Sequence, residues 1–312
     1  MHQKIVKRFR RPAFVEKEVG ALIFWREVIP LEYVLSCDMK INLCLWVGQL
    51  DADGYHPVRT LFLRLRSPEF LRLRSSDRFR LFHRGDPFYG EHIVERAATM
   101  VYDLKLSIPQ VEVECVKALP AGGGVGAGSG NAGAFLRWAF YSAGRPVDMA
   151  MAAKLGSDVP FLASEMNLAW AEGRGEVLSP VSAHTGDIKC LVGFPVWPMS
   201  TSLAYHMLDQ MRPHVGPLPE RDDFTGHLNA IEEGRVVGLL PNDFLIVSEK
   251  IREEYIKIWT VFEASGALGW GLCGSGSGFF GLFKDHDCLN RAARMLGSFG
   301  FVKSLMRAEV IQ

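Results

Sequence analysis

The segment that most limits the fold is a glycine-rich run between a predicted strand and a predicted helix. Val111–Val116 alternates apolar and polar residues, which is typical of a strand with one buried face. Leu119–Asn131 follows with glycine at almost every second position, and Ala132–Ser142 has the pattern of a helix. Glycines let consecutive N–H groups converge on an anion, and the helix adds the positive end of its dipole. The order strand, glycine loop, helix therefore predicts a phosphate-binding loop.

Other glycine motifs fit this chain less well. No Gly-Lys-Ser/Thr occurs in the sequence, so the loop is not a Walker loop, and the third glycine of the dinucleotide fingerprint is missing. The pattern G-x-G-x-x-G does occur at Gly269–Gly274 and Gly276–Gly281, but between two predicted strands, where it is uninformative. For Gly274–Gly278 we expect a tight hairpin turn whose glycines also allow close backbone approach. The competing interpretation of residues 122–130 is a flexible surface loop.

The length and the order of predicted elements indicate two domains. A chain of 312 residues that is 48% hydrophobic has enough apolar material for two cores. We expect a basic extension at 1–30, a nucleotide-binding domain at 31–185 and a second domain at 186–312. After strand Ile188–Phe194 and helix Thr201–Met211, a Pro- and Gly-rich loop precedes a long helix at Phe244–Ala264. The order suits an α+β fold with helices on one face of a sheet.

Charge and cysteine content exclude several classes of partner. Lys+Arg and Asp+Glu both number 35, so no net field attracts nucleic acid or an anionic membrane, and we expect neither as a partner. The six cysteines are scattered without a C-x-x-C pair, which favours free thiols in a reducing cytoplasm. The sequence indicates no metal-ligand cluster. We expect a cytoplasmic protein that is a monomer or a weak homodimer.

Transfer of a phosphoryl group requires a cation and a carboxylate beside the phosphates. Lys40, at the start of a predicted strand, and Asp158, after a predicted helix, are the candidates. Taken singly, each has an ordinary explanation, since a strand-end lysine is usually a solvated charge and an aspartate near a helix end is usually a cap.

Short motifs along most of the chain resemble one family of kinases. They occur in order at Lys40–Leu43, Asp53–His56, Pro120–Ala132, Leu155–Phe161, Ala171–Glu176, Asn242–Phe244 and Gly274–Gly278. Together they resemble the 4-diphosphocytidyl-2-C-methyl-D-erythritol kinases of the GHMP kinase superfamily. The glycine loop and the last motif are common to the superfamily, whereas D-G-Y-H close behind K-I-N is particular to this family.

The resemblance implies a fold and an activity. The fold would be the two-domain GHMP kinase fold, with a left-handed βαβ-type ATP loop in the N-terminal domain and a ferredoxin-like α/β sandwich in the C-terminal domain. The activity would be ATP- and Mg²⁺-dependent phosphorylation of the 2-hydroxyl of the cytidyl substrate in non-mevalonate isoprenoid biosynthesis.

The resemblance also implies roles for individual residues. Asp158 would take the proton of the substrate hydroxyl, and Lys40 would orient that hydroxyl and stabilise charge. An ammonium group beside a carboxylate favours the ionised form of the carboxylate, which is the form that can accept a proton. The remaining implied contacts with the phosphates of ATP are Pro120, Gly122, Gly123, Gly124, Gly126, Gly128 and Ser129. Those implied for the substrate are Asn42, Tyr55, His56 and Gly276, with Tyr55 stacked on cytosine and His56 bonded to its edge.

Two sites depart from the family pattern. Asp38-Met39 replaces the usual Pro-Ala before the lysine, and Gly130 follows Ser129 where the family commonly has a second serine. One hydroxyl that could touch phosphate or Mg²⁺ is therefore missing. Two alternatives stay open: another GHMP kinase acting on homoserine or a mevalonate derivative, and a nucleotide-binding paralogue with weakened catalysis.

Overall fold

The computed structural model describes residues 32–85, 91–185 and 187–311, together with the backbone of four short strands within residues 13–28. Those strands form two antiparallel pairs, β1 (Ala13–Val15) with β4 (Arg26–Val28) and β2 (Glu18–Val19) with β3 (Leu22–Ile23). The rest of the basic extension predicted at 1–30 lies outside the described residues.

The first sheet is built around one long strand. Its six strands are β5 (Glu32–Val47), β6 (Val58–Ser75), β7 (Arg80–Arg84), β8 (Val111–Val116), β9 (Leu168–Glu172) and β10 (Val177–Pro180). Strand β6 pairs with β5 along one edge, and along its other edge with β9 near its start and β8 near its end. The antiparallel hairpin of β5 and β6 therefore forms the centre of this half of the molecule.

The described residues of this half also form helices. They are α1 (Ile93–Asp103), α2 (Ala127–Ser142), α3 (Met149–Leu155) and α4 (Val159–Ala163). Helix α2 packs its apolar side chains, among them Phe135 and Trp138, into a buried cluster with Leu71 and Val113 of the sheet. This packing holds the first turn of α2 against the sheet at the glycine-rich loop.

The second sheet has the ferredoxin-like arrangement. Its strands are β11 (Lys189–Pro195), β12 (Gly238–Leu239), β13 (Gly269–Leu272), β14 (Phe279–Phe283) and β15 (Val302–Glu309), in the order β12-β13-β14-β11-β15. Its helices are α5 (Thr201–Met211), α6 (Asp222–Glu232), α7 (Leu245–Ile251), α8 (Glu254–Ala264) and α9 (His286–Gly297). If the short β12 is left out and the helices between β11 and β13 are counted as one helical segment, the order is β-α-β-β-α-β. Strand β11 lies inside the sheet, between β14 and β15. The predicted α+β class and C-terminal fold are confirmed.

The two halves are joined through backbone hydrogen bonds and a shared core. The N–H of Leu45 donates to Pro241 O at 3.0 Å, and the N–H of Asp243 donates to Leu45 O at 2.9 Å. One buried cluster combines Ile41 of the first sheet with Phe280 of the second. The boundary predicted after residue 185 lies between β10 and β11 and stays a prediction.

Several predicted elements differ from the structure. Helix α2 begins at Ala127 rather than Ala132, because Gly126 takes a left-handed conformation and the helix starts directly behind it. The predicted helix Phe244–Ala264 is two helices, since Arg252 is extended and ends α7. Helix α6 lies where a loop was expected. Its buried Phe224, Leu228 and Ile231 have helical spacing, so the signal was present in the sequence.

None of the helices in the described part of the chain combines the length and the apolar character that crossing a bilayer requires.

Candidate active site

The glycine loop rests on the turn between β13 and β14. Gly124 has φ +72°, and a Cβ built on it would lie 1.7 Å from the carbonyl oxygen of Cys273. On the other side, the N–H of Ser277 donates to Gly122 O at 3.1 Å. Only glycine allows the two backbones to approach this closely. The loop is therefore an ordered part of the site, and the interpretation as a flexible surface loop is wrong.

The first turn of α2 offers unpaired backbone donors. Gly126 is the N-cap and has no side chain to bond the helix amides, and the first intrahelical bond runs from Gly130 N to Gly126 O at 2.8 Å. The N–H groups of Ala127, Gly128 and Ser129 therefore have no acceptor inside the helix. All three residues line the same cleft. This turn can bind an anion through its amides and its dipole.

Lys40 is buried and its ammonium group has a partner for each of its protons. Nζ lies 2.9 Å from Asn42 Oδ1, 3.1 Å from the carbonyl oxygen of Gly124 and 3.5 Å from Asp158 Oδ2. The ammonium group also lies over the ring of Phe62, with Nζ 5.2 Å from the ring centroid. Lys40 is only 4% exposed, so it is not the solvated charge that a lone strand-end lysine would be. Its contacts fix the ammonium between the loop and Asp158.

Asp158 stands at the N-cap of α4 but does not cap it. Its side chain accepts no hydrogen bond from the helix amides, whereas Asp148 at the start of α3 accepts one from Met151 N at 3.0 Å. The Asp158 carboxylate points instead toward Lys40 and is 28% exposed to the cleft. The interpretation of Asp158 as an ordinary cap is therefore wrong, and its carboxylate is available to a substrate.

Asn42 connects the lysine to both sheets. Its Oδ1 accepts from Lys40 Nζ and, at 3.0 Å, from the N–H of Gly274, and its Nδ2 donates to Thr60 Oγ1 at 2.8 Å. Thr60 was not among the predicted residues, since a single threonine in a strand carries no motif. Asn42 thus orients Lys40 and also lines the cleft.

The glycine turn between β13 and β14 contributes its first residues to the site. It is the hairpin turn that the sequence predicted, and Gly274 and Ser275 line the cleft. Gly276, predicted as a substrate contact, is not among the described residues that line it. Burial raises the pKa of the nearby Cys273 thiol to about 12 although Lys40 opposes the shift, so the thiol stays neutral.

Aromatic and charged side chains occupy another part of the cleft. Tyr55 is 50% exposed, and the Arg174 guanidinium lies 3.4 Å from its ring centroid. The His56 ring stacks on Tyr205 at 5.1 Å. His56 Nδ1 donates to Gly48 O at 2.9 Å. Its Nε2 lies 3.3 Å from Asp209 Oδ2, and this contact is a bond only when the imidazole is protonated; in the neutral ring Nε2 is a free acceptor. The exposed part of the Tyr55 ring is available to a planar ligand, and Asp209 offers a partly exposed acceptor in the same cleft.

The cleft also extends to a third group of residues beside the glycine loop. His92, Lys117 and Pro120 line it there. Burial, with smaller contributions from His83 and Lys117, lowers the pKa of His92 to about 4, so its imidazole is neutral at physiological pH. The whole cleft has a volume of about 960 Å³. This is large enough for a nucleotide, because ligand pockets typically enclose roughly 300–1,000 Å³.

The structure brings most of the predicted site residues into this one cleft. Those that line it are Lys40, Asn42, Tyr55, His56, Pro120, Gly122, Gly123, Gly124, Gly126, Gly128, Ser129 and Asp158. Residues that sequence reasoning missed include Tyr205 and Asp209 on α5, which belong to no motif. Arg174 lies within the quoted Ala171–Glu176 run, so its signal was available.

The two departures from the family pattern contact each other. A Cβ built on Gly130 would lie 1.8 Å from the carbonyl oxygen of Asp38. Helix α2 therefore packs directly on strand β5 at the residue two positions before Lys40. The Asp38 carboxylate contacts Arg64, Arg66 and Arg137.

Comparisons with known proteins agree with this geometry. Residues 231–302 match the family described as GHMP kinases C terminal. The chain is 32% identical to the 4-diphosphocytidyl-2-C-methyl-D-erythritol kinase of Solidesulfovibrio magneticus, over 86% of this chain and 94% of that protein. It is 30% identical to the enzyme of the same name from Nocardia farcinica, over 90% of this chain and 94% of that protein.

A solved structure extends the match to three dimensions. It is the crystal structure of a 4-(cytidine 5'-diphospho)-2C-methyl-D-erythritol kinase, with a TM-score of 0.73 and 28% sequence identity. The superposition covers 89% of this chain and 99% of that one. With a glycine loop, an uncapped helix terminus and a lysine–aspartate pair in one cleft, the chain belongs to the 4-diphosphocytidyl-2-C-methyl-D-erythritol kinase family and is a small-molecule kinase of the GHMP fold.

Proposed function

We propose that this chain transfers the γ-phosphoryl group of ATP to the 2-hydroxyl of 4-diphosphocytidyl-2-C-methyl-D-erythritol, in non-mevalonate isoprenoid precursor synthesis. The observation that carries the proposal is the 3.5 Å pair of Lys40 Nζ and Asp158 Oδ2. It lies in one cleft with the amides of α2 and the ring of Tyr55. A phosphate site, a base and an aromatic platform are the parts this reaction needs.

In the proposed mechanism, Asp158 acts as the general base. Its carboxylate accepts the proton of the 2-hydroxyl as the hydroxyl oxygen bonds to the γ-phosphorus, and ADP leaves with the electrons of the broken P–O bond. Lys40 stabilises the negative charge that develops on the transferred group. Because Asn42 and Gly124 hold the ammonium in place, little reorganisation is needed at the moment of reaction.

The ATP phosphates would lie along the glycine loop. The glycines at 122, 123, 124, 126 and 128 give a backbone surface without side-chain bulk, Pro120 lines its start, and the uncapped amides through Ser129 line the same cleft. These amides and the helix dipole favour a multiply charged anion.

Mg²⁺ is part of the same proposal. Among the described residues, no cluster of three His, Cys, Asp or Glu side chains can hold a metal ion by itself. The oxygen donors in the cleft include the hydroxyl of Ser129 on the glycine loop and the carboxylate of Asp158. This set fits Mg²⁺, which usually takes only one or two protein oxygens with phosphates and water. The ion would neutralise phosphate charge.

The cytidine end would bind between α5 and the turn that carries Tyr55. Stacking on Tyr55 holds a pyrimidine of either type, so discrimination needs a polar group at the base edge. In this chain His56 Nδ1 donates to Gly48 O, so Nε2 of the neutral ring is an acceptor. We therefore propose that His56 Nε2 bonds the edge of cytosine by accepting its amino group, with the Asp209 carboxylate as a second acceptor nearby. Both acceptors would repel the carbonyl oxygen that uracil has at the same place.

An ADP-release assay with the purified chain tests the function. We expect turnover with the cytidyl substrate and none with homoserine or mevalonate phosphates. Turnover with one of the latter would assign the chain to another GHMP activity. ATP binding without turnover of any of them would identify a nucleotide-binding paralogue that has lost catalysis.

Tyr55→Ala tests the pyrimidine platform. Because stacking of a base on an aromatic ring contributes about 1–3 kcal/mol, we expect KM for the cytidyl substrate to rise by roughly 10- to 100-fold. We expect kcat to stay within about threefold, since the ring contacts substrate and transition state equally. Tyr141→Ala is the control, because Tyr141 is 78% exposed and lies outside the cleft. An unchanged KM in Tyr55→Ala would remove the cytidine assignment.

We also propose that the chain works in the cytoplasm as a monomer or a weak homodimer, with its two domains divided after residue 185. All six cysteines are free thiols, which suits a reducing compartment.

A further inference from the structure

A buried charge cluster lies behind the Lys40–Asp158 pair. Its centre is the carboxylate of Asp38, whose side chain is 8% exposed. Oδ2 lies 3.1 Å from Arg64 Nη1 and 3.4 Å from Arg137 Nη2, and Oδ1 lies 3.0 Å from Arg66 Nη1. Arg64 is 3% exposed, and burial lowers its pKa to about 10, so it remains a cation. Buried charges persist only when they are paired, so Asp38 is what allows these arginines to stay inside.

The same arginines bond the end of helix α4. Arg64 Nη1 donates to Leu162 O at 3.3 Å, and Nη2 donates to Ser164 O at 3.1 Å and also to Phe161 O. Arg137, from α2, donates to Leu162 O as well. The carbonyl groups at the end of a helix are its negative pole, so guanidinium groups are favoured there.

Helix α4 is the element that carries Asp158. It has only five residues, Val159–Ala163, which is too short to be stable by itself. The N–H of Leu162 donates to the carbonyl oxygen of Asp158 at 3.1 Å. The carbonyl oxygen of the same Leu162 accepts from both arginines, so the arginines are connected to Asp158 through one residue. A displacement of this turn would therefore move the Asp158 carboxylate.

The strand register connects the cluster to Lys40 as well. Asp38 and Lys40 point to the same face of β5, and their neighbours across the hairpin are Arg66 and Arg64. Helix α2 packs directly against the cluster. Its Gly130 contacts the carbonyl group of Asp38, and its Gly133 contacts the carbonyl group of Leu162. The candidate base and the candidate cation are thus both supported by elements that meet at Asp38.

We propose that Asp38 is a positioning residue, whose carboxylate holds Arg64 and Arg137 against the last carbonyls of α4 and so keeps Asp158 beside Lys40. The inference rests on the proposed role of Asp158 as base.

The test compares Asp38→Asn with Arg66→Gln in the full-length chain. Asp38→Asn keeps the shape but removes the charge, and we expect kcat to fall by about 100-fold, the size of effect that a 1 Å misplacement produces. KM for ATP and for the cytidyl substrate should stay within about threefold of wild type. Arg66 is 43% exposed and bonds Asp38 without reaching α4, so Arg66→Gln should keep kcat within about twofold.

A double substitution separates positioning from general damage. If Asp38 acts through Asp158, then Asp38→Asn should cost almost nothing further in an Asp158→Asn background. If the double variant instead lost kcat by the product of the two single losses, Asp38 would support the enzyme independently of Asp158, and the proposal would be overturned. Asp38→Glu, which returns the carboxylate, should recover at least about tenfold of the lost kcat.

Hydrogen exchange provides a readout that does not depend on the substrate. In Asp38→Asn the amides of residues 159–164 should exchange at least about tenfold faster than in wild type and in Arg66→Gln. Should Asp38→Asn not fold, Arg137→Gln, which removes one of the two links to Leu162, should show the same faster exchange. Unchanged exchange of this segment would refute the proposal. Absence of ADP release by the wild type would instead refute the proposed function alone.

Discussion

Asp158→Asn will abolish most of the turnover while leaving both substrates bound. Asparagine has the same shape but cannot accept the hydroxyl proton, and loss of a general base typically costs about 10²- to 10⁴-fold in kcat. Because Asp158 makes no capping bond in α4, the substitution leaves the start of this helix unchanged, and Lys40 keeps its bonds to Asn42 and Gly124 although it loses its counter-charge. ADP release should therefore fall by about 10³-fold or more with KM for ATP nearly unchanged.

Asp148→Asn is the matched control for this experiment. Asp148 is also an aspartate at a helix N-cap, but it bonds Met151 N and lies outside the cleft. Asparagine caps a helix as well as aspartate does, so activity and stability should both be unchanged. A near-wild-type rate for Asp158→Asn would show that the hydroxyl loses its proton by another route, and the assignment of the base would have to be abandoned.

Gly130→Ser, which would return the hydroxyl that is missing after Ser129, will destabilise the fold. The new Cβ would lie 1.8 Å from the carbonyl oxygen of Asp38, so α2 and β5 would have to separate. Overpacking of this kind costs about 1–3 kcal/mol and more where backbone must move. We expect the melting temperature to fall by roughly 6 °C or more, measured by calorimetry without nucleotide.

Gly128→Ala is the control two residues earlier in the same helix. The nearest atom to a Cβ at this position is Ile93 Cγ2 at 3.9 Å, so the methyl group has room. Replacing glycine by alanine in a helix gains up to about 1 kcal/mol, and the melting temperature of this variant should not fall. Equal melting temperatures for Gly130→Ser and wild type would show that α2 and β5 can separate at little cost.

Local patterns predicted much of the fold from the sequence. Strand β8 was predicted with its observed limits because its alternation is regular, and the loop behind it followed from its glycines. Helix α4 and the strands β9 and β10 were not predicted. They are short, and they depend on long-range contacts that no local periodicity records, since α4 packs on α2, β9 pairs with β6 and the exposed β10 pairs with β9. The break at Arg252 was missed for a related reason, since both flanking segments have helical patterns.

Only those residues of the candidate site that lie in recognisable sequence motifs could be predicted. Lys40 and Asp158 each have an ordinary explanation alone, and the resemblance to a family supplied the reason to pair them. The side chains on α5, Tyr205 and Asp209, became visible only when the fold placed that helix beside His56. Two arginines of the Asp38 cluster, Arg64 and Arg66, alternate along β6, where the pattern is equally typical of a solvated sheet face, and the third, Arg137, lies far away in sequence on α2.

The contact between the glycine loop and the β13–β14 turn limits how this enzyme can be divided. Gly124 lies on the Cys273 carbonyl, and Asn42 accepts from Gly274, so the loop of the first half has its shape set by the second half. A fragment ending near residue 185 would contain every glycine of the loop and still lack the surface that orders it. Transfer of this loop into another scaffold would therefore require the hairpin to be transplanted with it.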